Sequence, residues 1–213
     1  MTRVYLIRHG ETEWNQIRRY QGHSDVALSD RGREQAQRLV KRMAKEKVDR
    51  VHASDLSRAV ETARAVAEAK GIEVVLDARF RECNFGAWEG LTFPEIEKAY
   101  PEEIKIWNRT PAKVCLPGGE SFPIVQQRAF AALQELIAKH DGENIAIVAH
   151  GGTIRTLLCA ILDVDLDRAW QFRQDNTALN VIDFYDGKGI IERINDVTHL
   201  LPGAFPESES GVK

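Results

Sequence analysis

Val4-Tyr5-Leu6-Ile7-Arg8-His9-Gly10-Glu11-Thr12 is a short apolar run that stops abruptly on an arginine, a histidine and a glycine. A run this short and this apolar reads as a strand buried on both faces, with the polar residues forming the turn beyond it. Arg50 to Ala53, Glu73 to Leu76 and Ile145 to Ala149 repeat the design. Helical patterns alternate with them. Ser29 caps one in which Ala36, Leu39, Val40 and Met43 share a face, and a second follows Ser54-Asp55 with Ala59, Ala63, Val66 and Ala67 inward. Thr92 and Glu95 have capping-box spacing for a short helix ending at Pro101, and another helix after Ser121 carries Val125, Ala129, Leu133, Leu136 and Ile137. Alternation of this kind predicts an α/β fold, a three-layer α/β/α sandwich on a mixed, mainly parallel central sheet. Asp186-Gly187, between Ala178 to Phe184 and Ile190 to Ile194, predicts a hairpin at one sheet edge.

The expected organisation is a single domain over residues 1–201, with a helical excursion at 92–121 placed to cover a pocket and a mobile tail at 202–213. Within the excursion, Trp107 to Ser121 is rich in Pro and Gly and reads as surface. A net charge of −3 with both signs interspersed favours neither nucleic acid nor an anionic membrane surface. The N-terminal apolar run is too short for a leader or a membrane span, so the cytoplasm is the expected compartment. Cys83, Cys115 and Cys159 are odd in number and widely spaced, which excludes a disulfide framework and a thiolate zinc site; Cys159 reads as core. The edge hairpin offers a route to a homodimer.

Ligands of open α/β sheets bind beyond the carboxyl ends of the strands. In a parallel sheet those ends carry Arg8-His9, then Ser54 to Arg58, then Arg81-Glu82, then His150-Gly151-Gly152. Two histidines, two arginines and a carboxylic acid in one pocket suit phosphoryl transfer. Arg8 and Arg58 can fork onto phosphate oxygens, and the helix opened by Gly151 and Gly152 offers free amides and a positive dipole end to the same anion. Surrounding positive charge disfavours the imidazolium form and so keeps His9 nucleophilic. Glu82 can protonate the leaving oxygen and then activate water. Glu89 is the weaker candidate for that acid.

These motifs resemble the histidine phosphatase superfamily, to which cofactor-dependent phosphoglycerate mutases also belong. The resemblance rests on Arg8 to Thr12 with Asn15, Gln21-Gly22 and Leu28-Ser29 through Gly32; on Ser54 to Ala63; on Arg81-Glu82 with Phe85-Gly86 to Gly90; and on Gly119-Glu120-Ser121 and His150-Gly151-Gly152. It implies that His9 is phosphorylated, that Glu82 donates the proton, and that Arg8, Arg58 and His150 complete the phosphate pocket. It further implies that Asn15, Gln21, Gly22 and the Gly151 amide touch the phosphate or leaving group, with no metal ion and no cofactor. The substrate so implied is a small phosphomonoester, and the side chains that choose it are expected in the 92–121 excursion. Phosphoglycerate mutases are the alternative, but where they carry a Tyr-Gly and Asn-Lys type stretch this chain reads Asn84 to Phe93. Cys159 to Asn176 is similar to bacterial phosphatases of the ribazole-phosphate and phosphoserine kinds.

Blander readings stand beside these. Arg58 would be a solvated charge, except that a helix's first turn disfavours an unneutralised cation. His150 can be a hydrogen-bonded core histidine, and Asn15 and Gln21 can serve local backbone bonding. A catalytically silent phosphate-binding module and a two-histidine metallohydrolase are the competing classes; no HxxxH or carboxylate cluster supports the latter.

Overall fold

The strands β1 (Thr2–Arg8), β2 (Arg50–Ala53), β3 (Val74–Leu76), β4 (Asn144–Ala149), β5 (Leu179–Tyr185) and β6 (Lys188–Asp196) form one sheet in the order β3-β2-β4-β1-β5-β6. This is a computed structural model, and the residues it describes are 1–205. β1 to β4 run parallel, while β5 and β6 are antiparallel, giving the mixed, mainly parallel α/β sheet that the sequence predicts. The helices are α1 (Glu13–Gln16), α2 (Asp30–Met43), α3 (Ser57–Lys70), α4 (Phe93–Ala99), α5 (Pro101–Arg109), α6 (Phe122–Lys139) and α7 (Gly151–Ile161).

The two-residue period of a strand divides the core into layers. Val4 and Leu6 of β1 and Ile145 and Ile147 of β4 pack with residues of α6 and α7, whereas Tyr5, Ile7, Ala146 and Val148 pack with residues of α2 and α3. Ser29 caps α2 by accepting from the Gly32 amide at 3.1 Å. Asp186 and Gly187 take φ of +49° and +78°, as a two-residue hairpin turn requires.

Two expectations need correction. β3 is not buried on both faces: it is a three-residue edge strand, and Val75 and Leu76 are about half exposed. The short helix opened by the Thr92–Glu95 capping box does stop before Pro101, at Ala99, and Pro101, whose fixed φ and missing N–H suit a first turn, opens the separate helix α5. Trp107 to Ser121 is not merely surface. Trp107, Val114 and Leu116 are buried in a third apolar cluster with Trp88, Ile96, Ile104 and Phe122. The proposed tail from 202 has Pro202 to Ala204 exposed, and from residue 206 it lies outside the described residues. Among the described residues no helix is long and apolar enough to cross a membrane.

Candidate active site

Strand register decides which side chains meet. β1 and β4 pair with Arg8 opposite Ala149, and β2 and β4 with Ala53 opposite Val148, so His9, Ser54 and His150 leave the sheet at one level. The His9 amide donates to Ala149 at 3.0 Å, and the two imidazole centroids lie 5.1 Å apart. His150 Nε2 hydrogen-bonds Ser54 Oγ at 2.8 Å. Because β5 is antiparallel, it delivers its beginning to this level instead of its end. Thr177 and Asn176 both donate to the His9 carbonyl, at 3.2 and 3.1 Å.

A cleft of about 300 Å³ opens there, lined by Arg8, His9, Asn15, Gln21, Gly22, Arg58 and Glu82, with Arg18, Arg19, Tyr20 and Phe85. Of the residues expected in the site, His150 and Gly151 alone stand behind this lining. His150 packs against His9, and a side chain at Gly151 would meet Arg155 Nη1 at 2.9 Å and Arg8 Nε at 3.4 Å. Gly22 holds a left-handed φ of +55° and presents its carbonyl to Arg58 Nη2 at 2.7 Å; Ser24 O takes Arg58 Nη1 at 2.9 Å. Asn15 Oδ1 is occupied by Thr12 N, Thr12 Oγ1 and Asn176 Nδ2, which leaves its amide NH₂ as the donor for the cleft.

The electrostatics suit a neutral, nucleophilic imidazole. His9 Nδ1 lies 2.6 Å from the Gly10 carbonyl, an obligate acceptor, so Nδ1 carries the hydrogen and Nε2 keeps its lone pair. Burial, then the Arg58 and Arg8 charges, hold His9 well below the usual histidine value. His150 is lowered in the same direction by burial, Arg58, His9 and Arg8. Burial also draws the guanidinium of Arg8 down to about 10, helped by the like charge of Arg155, and that of Arg58 to about 10, so both remain charged at neutral pH. Six buried side-chain polar atoms lack a partner among the described residues. Four of them belong here: Arg8 Nε, Gln21 Oε1, Arg58 Nε and His150 Nδ1.

These neutral rings set an acid limit on stability. His52 and His199, each lowered to about 4 by burial, add to His9 and His150. As pH falls from about 6.5, the unfolded chain takes up protons that the native rings refuse, so the stability these rings contribute is fully present above that pH and declines below it. Thermal melts at fixed ionic strength should show Tm falling between about pH 6.5 and 4. A Tm that holds level or rises across that window would contradict the assignment of neutral buried imidazoles.

Glu82 caps α7. Its Oε2 accepts from Gly152 N at 3.0 Å, and its Oε1 from Thr153 N at 3.1 Å and Cys83 N at 2.9 Å. The amides of Gly152 and Thr153 are therefore not free for an external anion, as the sequence led us to expect; the dipole end is already met by a carboxylate of the chain itself. A side chain at Gly152 would collide with that carboxylate. Glu89, the alternative acid, is consumed elsewhere: it accepts from the amides of His23, Ser24 and Phe85 and from Ser24 Oγ, pinning two loops together. Cys83 is buried beside Glu82, and burial pushes its thiol upward, which makes it an inert core residue.

Among the described residues of the 92–121 excursion none lines the cleft, contrary to expectation. The excursion buttresses it: Phe85 packs edge-on against Trp107, and Tyr20 against Phe85 and Trp88. Several polar residues at the site carry no spacing signal in the sequence. Arg8 Nη1 donates to Gln174 O at 2.6 Å, Arg155 Nε to Phe172 O at 2.8 Å, and Asn176 ties His9 to Asn15. The available cue was the polar run Gln174 to Thr177 at the start of a strand that neighbours β1. Among the described residues no three His, Cys, Asp or Glu side chains gather as a metal ion would need.

Residues 4–197 match the sequence profile of the histidine phosphatase superfamily, branch 1. The chain is 37% identical over 200 residues to phosphoserine phosphatase 1 of Hydrogenobacter thermophilus, covering 94% of this chain and 95% of that one. It is 41% identical over 217 residues to phosphoglycerate mutase-like protein 4 of Arabidopsis thaliana, covering 98% and 91%. The solved structure of YhfR from Bacillus stearothermophilus superposes with a TM-score of 0.90 at 37% identity, covering 94% of this chain and all of that one (100%). With profile, relatives and fold in agreement over nearly its whole length, this chain belongs to the histidine phosphatase superfamily and is a phosphatase of that type.

Proposed function

We propose that the chain hydrolyses small phosphomonoesters without a metal ion or cofactor, through a phosphohistidine at His9. The observation that carries this reading is a pair of buried cationic donors, Arg8 Nε and Arg58 Nε, that find no partner among the described residues and flank a neutral imidazole. Buried unpaired charge is costly, and a phosphoryl group would satisfy it. In the first half-reaction the lone pair of His9 Nε2 forms a bond to phosphorus while the bond from phosphorus to the ester oxygen breaks. Glu82 gives its proton to that oxygen. In the second, the Glu82 carboxylate takes a proton from water as the water oxygen bonds to phosphorus and the N–P bond breaks, releasing inorganic phosphate. Arg8 and Arg58 neutralise the equatorial oxygens, with Asn15, Gln21, Gly22, His150 and the Gly151 amide completing the pocket.

The cleft also supports a view of the substrate. Arg19 donates to the Gly90 carbonyl and pairs with Glu95 at 3.6 Å, whereas the exposed Arg18 side chain has no partner among the described residues. Arg18 is held in left-handed backbone, φ +54°, an uncommon setting for a side chain of this size. A second anionic group on the substrate, such as a carboxylate, would answer that charge, and the phosphoserine phosphatase relative fits the same chemistry. The chain is proposed to act in the cytoplasm as a free enzyme or a homodimer, with no nucleic-acid or membrane partner.

The test is release of inorganic phosphate from a panel of phosphomonoesters, carboxylated and not, in the presence of chelator. Activity should survive the chelator, favour carboxylated members, and be inhibited by orthovanadate, which takes up the five-coordinate geometry of the transferring group. Loss of activity in chelator, or phosphoryl transfer between two positions of phosphoglycerate in place of hydrolysis, would replace this reading with a metallohydrolase or a mutase.

A further inference from the structure

Glu82 sits on an irregular segment, between the short helical turn Ala78–Phe80 and the next turn at Gly86–Trp88. A group that must meet a leaving oxygen within a fraction of an ångström needs its backbone held from outside. The carboxylate end is held by α7. The backbone end is held by residues that do not line the cleft: His23 Nε2 meets the Glu82 carbonyl at 2.9 Å, and Arg128 grips that carbonyl and those before it.

Arg128, in the second turn of α6, spends all five of its N–H donors. Nη1 donates to the carbonyls of Arg79 at 2.7 Å and Arg81 at 2.8 Å, and Nη2 donates to the carbonyl of Glu82 at 2.9 Å. The remaining two, from Nε and Nη2, fork onto the two oxygens of Glu120 at 2.9 Å each. Glu120 Oε2 in turn accepts from Asn84 N at 2.9 Å, and the Glu120 amide donates to Asn84 O at 2.8 Å. The pair therefore grips the chain on both sides of the acid, at the carbonyls before it and the amide after it. Both side chains are mostly buried, 18% and 19% exposed, so the ion pair is desolvated. Although burial works against it, the Arg128 fork and the Asn84 amide hold the Glu120 carboxyl below its usual range. A buried ion pair contributes little net stability against an apolar replacement, so its use is better sought in the geometry it enforces.

We propose that Arg128 and Glu120 are positioning residues for proton transfer: together they fix the backbone of Glu82 so that its carboxyl, anchored by α7, stands at the leaving oxygen. This rests on Glu82 being the proton donor. Lysine at 128 would keep the charge but supply a single nitrogen with three donors in place of a planar five-donor fork, so the grip would loosen without unpairing Glu120. A displaced acid matters when the leaving group is a basic alkoxide and matters little when it is a stable phenolate.

The experiment compares kcat/KM, which reports the first half-reaction, on 2-glycerol phosphate and on 4-nitrophenyl phosphate for Arg128→Lys, Glu120→Gln and Glu82→Gln. Arg128→Lys should lower the alkyl value at least about tenfold and the aryl value by less than about threefold. Glu120→Gln, which keeps the shape and drops the charge, should move the ratio the same way and carries the test if the lysine variant does not fold by circular dichroism. In a chain already bearing Glu82→Gln, adding Arg128→Lys should leave the ratio unmoved, as expected for residues that act as one unit. Equal losses on both substrates, no loss on either, or a further shift in the Glu82→Gln chain would overturn the proposal. If Glu82→Gln discriminates and the other two do not, the clamp alone is wrong. If Glu82→Gln itself fails to discriminate, the assignment of Glu82 as donor falls, and the clamp with it.

Discussion

Replacing His9 by alanine is expected to lower turnover by about four orders of magnitude or more, the scale seen when a covalent nucleophile is removed. No other histidine is among the residues that line the cleft. Arg8 and Arg58 are charged and carry no available lone pair, and His150 Nε2 is committed to Ser54. The fold should survive, because the imidazole makes a single hydrogen bond, to the neighbouring Gly10 carbonyl, and the strand pairing of the segment runs through its backbone. A cooperative melt and an unchanged far-ultraviolet spectrum would establish that. Residual activity above about 1% of the parent, in a folded variant free of contaminating phosphatase, would remove His9 from the nucleophile's role.

Glu82→Gln should divide the reaction in two. An alkyl phosphate needs its leaving oxygen protonated and should lose about 10²- to 10⁴-fold, whereas 4-nitrophenyl phosphate should still phosphorylate His9 at a nearly normal rate. Water would then lack its base, and the phosphoenzyme should accumulate as an acid-labile, base-stable adduct. The substitution also has a structural cost. Oε1 accepts two amides and its place goes to the glutamine oxygen, so the glutamine NH₂ is turned toward the Gly152 N–H, and one buried hydrogen bond is lost. A decrease in stability of about 1–3 kcal/mol is expected, readable by denaturant titration. Equal losses on both substrates with no trapped adduct would exclude Glu82 as the proton carrier.

Local pattern carried the reading of the fold furthest where one element alone decides the outcome. The apolar run of β1, the Ser29 cap and the Asp186-Gly187 turn each contain their own instruction. Val75 and Leu76 misled because nothing in Glu73 to Leu76 says that the strand will occupy an edge, which is a property of the whole sheet order. Trp107 misled for a similar reason: the residues that follow it, Asn108 to Pro111, are polar or turn-forming, while the aromatic rings that bury it, Trp88 and Phe122, are distant in sequence. In the candidate site the residues at the ends of parallel strands were legible, since the carboxyl-end rule needs only strand positions. Asn176, Gln174 and Arg128 were not. Each acts through a side-chain-to-backbone hydrogen bond with a residue far away in sequence, and hydrogen bonds of that kind leave no periodicity to read.

The position of β1 has a consequence for how the molecule is made. It precedes the other five described strands in the chain, yet its two neighbours in the sheet are β4 and β5, whose pairing residues begin at Asn144 and Leu179. At a translation rate of ~5–20 residues per second, this strand waits on the order of ten seconds for a partner. Contacts of such long sequence separation also slow folding itself. Every group assigned to the chemistry lies before residue 152, but the chain that ends there would still lack Gln174 and Asn176, the anchors of Arg8 and His9. A chain truncated after residue 152 is therefore expected to lack activity, because Arg8 and His9 would be without these anchors, and its unpaired strand edge would be open to aggregation.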